Sequence, residues 1–185
     1  SLFAALKRRE VYGTSGPRIA ARLFAGWDFD AGLCEAQDAI GQADERGVPM
    51  GGVLPPARDA GAPALFAWAS MDPGTDAQPG TPLQRLQIVK GWLEDGEQGL
   101  GVYDGAGDAD NGAAVGDQGR PQGQGFASLC AVWRDPDFSP AQEAFYYARV
   151  IENPSCRWNA LQCLQADAPE ELAACSDPSV PRSIQ

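Results

Sequence analysis

Six short stretches of this chain carry apolar residues at a two-residue period or without interruption, and turn-forming residues separate them. Between Arg18 and Trp27, the residues Ile19, Ala21, Leu23, Ala25 and Trp27 fall on one face, with Arg18 and Arg22 on the other. That pattern predicts a half-buried strand. Ala64 to Met71 is apolar on both faces, as a central strand requires. Pro82 to Trp92 alternates again, with Leu86, Ile88 and Trp92 opposing Arg85, Gln87 and Val89. Leu100–Tyr103, Phe126–Trp133 and Ala144–Ile151 complete the set.

Helical pattern is sparse. Residues 2–9 form a short amphipathic segment ending in Lys7, Arg8 and Arg9, a basic end that suits a helix C-terminus. Glu35–Asp44 and Pro169–Ala174 are the other helical candidates, and Gly105–Gln124, rich in Gly, Asp and Gln, reads as a long loop. Strands joined by turns with little helix predict a mainly β fold, an antiparallel β-sandwich that is Ig-like or jelly-roll-like. A short N-terminal helix precedes it and a loop-rich C-terminal tail follows. All five tryptophans (Trp27, Trp68, Trp92, Trp133, Trp158) lie on or just after these strands, where an aromatic closes the core at the sheet rim. A tryptophan platform for carbohydrate is the alternative.

Composition narrows the chemistry. The chain has 185 residues and no histidine, so it lacks the usual general base near neutral pH and the commonest metal ligand. Its net charge of −11 argues against nucleic acid as a partner. No apolar run is long enough for a membrane span. Lys7 and Lys90 are its two lysines against twelve arginines, which reads as base composition of the coding sequence. Ser1 follows no initiator Met and no basic-then-apolar leader, which points to a removed leader or an internal segment.

Of five cysteines, Cys156, Cys163 and Cys175 fall together in the proline-containing tail, which suits a disulfide formed in an oxidising compartment. Periplasmic or extracellular placement follows. Zinc is the rival, but there is no Cys-x-x-Cys pair and no His to complete a site. Cys130, inside an apolar strand, is expected to be a core thiol and Cys34 is unassigned. An odd count leaves one thiol unpaired within the chain.

Three constellations are candidates for chemistry. Asp104, Asp108, Asp110 and Asp117 lie in the glycine-rich loop, where oxygen ligands could hold calcium. Gly112 occupies a position that should supply oxygen, so a solvated acidic loop is the simpler reading. The pairs Asp28/Asp30 and Asp135/Asp137 offer paired carboxylates, though short Asp-x-Asp turns ordinarily bond local amides. In Gly13-Thr14-Ser15-Gly16-Pro17-Arg18, small residues admit a ligand, Thr14 and Ser15 can donate, and Arg18 can clamp an oxyanion. The simpler reading there is a tight turn between helix and strand.

Several stretches, in order along nearly the whole chain, resemble the carboxy-terminal part of a bacterial domain-of-unknown-function family numbered 3604. They are Leu6-Lys7-Arg8-Arg9-Glu10-Val11-Tyr12-Gly13-Thr14-Ser15-Gly16-Pro17-Arg18-Ile19, Phe24-Ala25-Gly26-Trp27-Asp28-Phe29, Gly47-Val48-Pro49-Met50-Gly51-Gly52, Leu86-Gln87-Ile88-Val89-Lys90-Gly91-Trp92, Trp133-Arg134-Asp135-Pro136-Asp137-Phe138 and Ala144-Phe145-Tyr146-Tyr147-Ala148-Arg149-Val150. Residues 94–119 fit the family pattern poorly. The family's amino-terminal part is similar to PHP-type metal-dependent phosphoesterases, which implies a His- and carboxylate-held divalent metal in a portion upstream of these residues. The resemblance thus implies residues 1–17 as the end of an upstream hydrolase domain with the β-sandwich, 18–153, beginning at Arg18, and the turn-rich, cysteine-bearing residues 154–185 are expected to form a disulfide-stapled tail. The expected function is the sandwich portion of an exported metal-dependent hydrolase of the phosphoesterase kind, with the upstream hydrolase portion as partner. The rival is a non-catalytic module that binds glycan or protein.

Overall fold

The computed structural model describes residues 1–56, 61–116, 119–167, 169–181 and 183–184. Helix α1 (Leu2–Arg8) is capped by the Ser1 hydroxyl, which accepts from Ala4 N, and ends where Arg9 turns left-handed at φ 60°. An extended arm leads to β1 (Ala20–Gly26). A 3-10 turn over Ala31–Glu35 and helix α2 (Ala39–Arg46) follow, started by the Asp30 and Asp38 carboxylates accepting from Gly32 N and Gly41 N. Then come β2 (Val48–Pro49), β3 (Ala64–Ser70), β4 (Leu83–Glu94) and β5 (Glu97–Gly107). The small hairpin β6 (Ala114–Val115) and β7 (Pro121–Gln122) precedes β8 (Ser128–Arg134) and β9 (Glu143–Glu152). The tail holds β10 (Ser155–Cys156), α3 (Trp158–Gln165), the four-residue α4 (Ala173–Ser176) and β11 (Ser183–Ile184).

Every strand pairing is antiparallel. Two sheets, ordered β2-β1-β3-β8 and β5-β4-β9, pack face to face. Ile19, Leu23, Leu65, Ala67, Ala69, Leu129 and Ala131 from the first meet Leu83, Leu86 and Ile88 from the second. The six expected strands are the six long ones observed, and β3 is central, as its two apolar faces require.

The far face of the first sheet is covered too. Phe24, Ala64 and Phe66 pack there against Phe29, Leu33 and Ala43 from the 3-10 turn and α2. This corrects the reading of β1 as half-buried: Phe24 is buried, and Arg22 stays exposed on the same side. The Cys34–Cys130 disulfide staples this layer to β8 across 96 residues, so Cys130 is no free core thiol. By loop-entropy arguments a cross-link of that span is worth roughly 4–5 kcal/mol. The tail is stapled as expected, by Cys163–Cys175, and Cys156 is the free thiol.

Other departures have identifiable causes. Strand β5 (Glu97–Gly107) is much longer than Leu100–Tyr103, and it takes in Gly105–Gly107 from the stretch expected to be loop. The Trp92 ring lies over Gly99, where an added Cβ would come within 2.1 Å of it, so a cross-strand aromatic supplies the packing the glycine lacks. The tail carries α3, unforeseen from its turn-rich sequence. Trp158 opens that helix and is 68% exposed, so it closes no sheet rim. The Pro169–Ala174 candidate resolves into a 3-10 turn over Pro169–Glu171 followed by α4. Helix α1 buries none of its residues, although Leu2, Phe3 and Leu6 are apolar. Its end is held by the 50–52 turn, where Gly51 has φ 86° and an added Cβ would meet Arg8 O at 2.2 Å.

Candidate functional site

Pairing of Ala20 with Ser70 at the end of the β1–β3 ladder sets Arg18, two residues before β1, near Asp72, two residues after β3. There the Arg18 amide donates to Asp72 Oδ2 at 2.7 Å, and the Gly74 amide donates to Asp72 Oδ1 at 2.9 Å. These two amides, Arg18's first, hold the Asp72 carboxyl below its usual range. Glu152, the last residue of β9, lies within electrostatic reach of Asp72. Its carboxyl is half-buried; desolvation, reinforced by the Asp72 charge, pushes its pKa up to about 7. Glu152 Oε1 is buried without a hydrogen-bond partner.

The preceding turn is closed by Tyr12, whose hydroxyl donates to Ile19 O at 3.1 Å. Thr14 and Ser15 stand exposed on that loop, with open space beside Gly13 and Gly16. The structure therefore brings Thr14, Ser15 and Arg18 to one edge of the sandwich and adds two carboxyls, Asp72 and Glu152. Sequence reasoning missed both. No local motif marks them, since Arg18 and Asp72 lie 54 residues apart and meet only through the ladder. An ionisable group shifted by burial and a charged neighbour, beside exposed donors, is the arrangement expected of a functional edge.

The opposite end is closed. Lys90 and Asp135 form a buried ion pair at 2.8 Å, with side chains 1% and 0% exposed. The Lys90 ammonium also donates to Asp137 O at 2.7 Å and lies 5.2 Å from the Trp92 ring centre. Asp135 accepts from Tyr146 OH at 2.6 Å and from Asp137 N at 2.9 Å. Tyr103 OH donates to the Asp137 carboxylate at 2.7 Å, which pushes the phenol pKa up to about 12. Tyr146 is raised as well, by burial and then by Asp135. Trp133 sits against both phenol rings, at 5.0 and 6.2 Å. The Asp135/Asp137 pair is thus a latch and not an acid–base couple. Lys90, read from sequence as a matter of base composition, is its centre. Asp28/Asp30 resolves into cap chemistry: Asp30 starts the 3-10 turn, and the Asp28 carbonyl accepts from Arg46.

The acidic-loop candidates are not gathered. Asp104 lies on β5 and accepts from Gln87 at 2.7 Å, while Asp108 accepts the amide of Asp110 at 2.8 Å. Asp117 lies outside the described residues. Among the described residues no group of three or more His, Cys, Asp or Glu side chains stands close enough to hold a metal. Four tryptophans are half-buried, and no described helix is long and apolar enough to cross a membrane.

An antiparallel sandwich fronted by a donor-bearing turn defines a class of fold, and the comparison with known families gives it a place. A family model described as Protein of unknown function (DUF3604) matches residues 1–182, and the chain belongs to that family. Neither the curated proteins nor the solved structures contain a match to this chain.

Proposed function

We propose that this chain is the β-sandwich portion of an exported metal-dependent hydrolase, of the phosphoesterase kind, and that the Thr14–Arg18 turn with Asp72 and Glu152 forms the edge facing that enzyme's substrate. The observation that carries the reading is the half-buried Glu152 carboxyl within electrostatic reach of Asp72, which anchors an exposed turn bearing two hydroxyls and a guanidinium. Helix α1 supports it, because Leu2, Phe3 and Leu6 are 87%, 76% and 61% exposed and need another polypeptide surface to cover them.

The divalent metal expected in such an enzyme would polarise the phosphoryl oxygens. The residues described here do not fit a metal: the chain has no histidine and its described carboxylates are not gathered. What these residues do is bind and deliver protons. Arg18, its backbone held by Asp72, clamps a substrate oxyanion through its guanidinium. Thr14 and Ser15 donate to neighbouring oxygens. Glu152, protonated below about pH 7, supplies a proton to a leaving oxygen.

The test uses a longer family polypeptide that includes a histidine-bearing portion, assayed with aryl phosphate mono- and diesters and added divalent metal. Metal-dependent turnover by the longer polypeptide and none by residues 1–185 alone is the expected result. Turnover by the short chain by itself, or no phosphoesterase activity in the longer one with any divalent metal, would overturn the reading.

A further inference from the structure

The open face of the β5-β4-β9 sheet is organised in rungs by its register. One rung holds Asp104, Gln87 and Arg149; the next holds Val102, Val89 and Tyr147; the third holds Leu100, Gly91 and Phe145. Phe145 and Tyr147 are 61% and 44% exposed, with ring planes 11° apart and centres 6.5 Å apart. Phe145 reaches across the sheet: a Cβ on Gly91 would lie 2.4 Å from its ring, so the ring rests against bare backbone. Beside this aromatic pair the polar rung is held in place. Buried Gln87 donates to Asp104 and accepts from Arg149 Nε at 2.9 Å and Nη2 at 2.6 Å. Arg85 flanks the rung, its buried Nε 3.9 Å from Asp104 Oδ1 and its Nη1 donating to Gln84 Oε1.

We propose that this face binds a neutral polysaccharide, with sugar rings stacked on Tyr147 and Phe145 and hydroxyls bonded to Asp104, Arg149 and Arg85. Charge selects the ligand. A chain of net charge −11 repels polyanions and second copies of itself, while Asp104, Arg149 and Arg85 together offer both acceptors and donors. A protein partner fits less well, because Asp is depleted at the cores of protein interfaces and the Asp104 carboxylate, fixed by Gln87, lies on the rung beside the rings. The aromatic platform thus lies on a sheet face and is built from Phe and Tyr, not from the tryptophans. The proposal goes beyond the hydrolase reading and stands without it, since the chain binds unaided.

The experiment is affinity electrophoresis and calorimetric titration of the 185-residue chain against neutral xylan and cello-oligosaccharides, with polygalacturonate and dextran sulfate as charged comparators. A neutral polymer is expected to bind at least about tenfold more tightly than either polyanion, with little salt dependence. Tyr147→Ala and Arg149→Met are each expected to weaken that binding about tenfold, and Trp158→Ser to leave it unchanged. Hydroxyl-radical footprinting of the unsubstituted chain gives an answer that needs no variant: the neutral polymer should protect Phe145 and Tyr147. No neutral binding, preference for a polyanion, missing protection, or a concentration-dependent dimer abolished by Tyr147→Ala would each overturn the proposal.

Discussion

The two ends of the sandwich treat buried polarity in opposite ways. At one end Lys90, Asp135, Tyr146, Asp137 and Tyr103 satisfy one another, and the aromatic rings of Trp92 and Trp133 close around them. At the other, Glu152 keeps a buried oxygen without a partner, Asp72 crowds it with charge, and the neighbouring turn presents hydroxyls outward. The lysine and the glutamate lie on adjacent strands near opposite ends of β4, since Glu152 pairs with Leu83 and Tyr146 with Lys90. A network in which no buried polar atom is left unpaired stabilises the fold and offers a ligand nothing to relieve. An incomplete one holds a group in an unfavourable protonation state that an incoming molecule can relieve.

The largest effect should come from breaking the closed end. Asp135→Ala leaves a buried ammonium without its counter-charge and should cost about 3–5 kcal/mol in denaturant unfolding. The double replacement Lys90→Met with Asp135→Leu should lose far less. Equal losses from both would mean the pair itself, and not an orphaned charge, supplies the stability.

Tyr146→Phe removes one charge-assisted hydrogen bond from a buried carboxylate, and should cost roughly 1.5–3 kcal/mol by the same measurement. A cost near zero would show that solvent replaces the phenol, and the contrast between the ends would weaken.

The open end should show itself through pH. Glu152 binds its proton more tightly in the folded chain than its ordinary value near 4.5 allows, so its contribution is present below that value and lost as pH rises through about 7. Thermal midpoints should fall across that window, and Glu152→Gln should flatten the fall and be the more stable form at pH 8. Parallel profiles for the two proteins would remove Glu152 from the account.

Arg18→Met should have the smallest effect on folding, within about 0.5 kcal/mol, because it is the backbone amide of Arg18 that bonds Asp72. In a longer, active family polypeptide the same change should lower kcat/KM for phosphoesters. Unfolding with loss of activity would make Arg18 structural.

The closed end was partly legible from the chain. The stretch Trp133-Arg134-Asp135-Pro136-Asp137 reads as a turn after a strand, and it is one. That Asp135 would be buried was not legible, because its partners come from β4 and β9, 45 residues before it and 11 after it. The open end was read from its turn alone. Thr14, Ser15 and Arg18 cluster in sequence, whereas Asp72 and Glu152 join them only when three strands converge. The cysteines divide the same way: Cys163–Cys175 spans 12 residues within one compositional region, while Cys34–Cys130 joins two layers.

The chain by itself determined the six long strands and the turn signals between them, because the two-residue period of side chains is a local property of extended backbone. It also determined that no histidine chemistry occurs within these residues. Tertiary structure alone decided which polar groups were buried with partners and which without. Desolvation and charge neighbours depend on distances between strands far apart in sequence, and no local pattern encodes them.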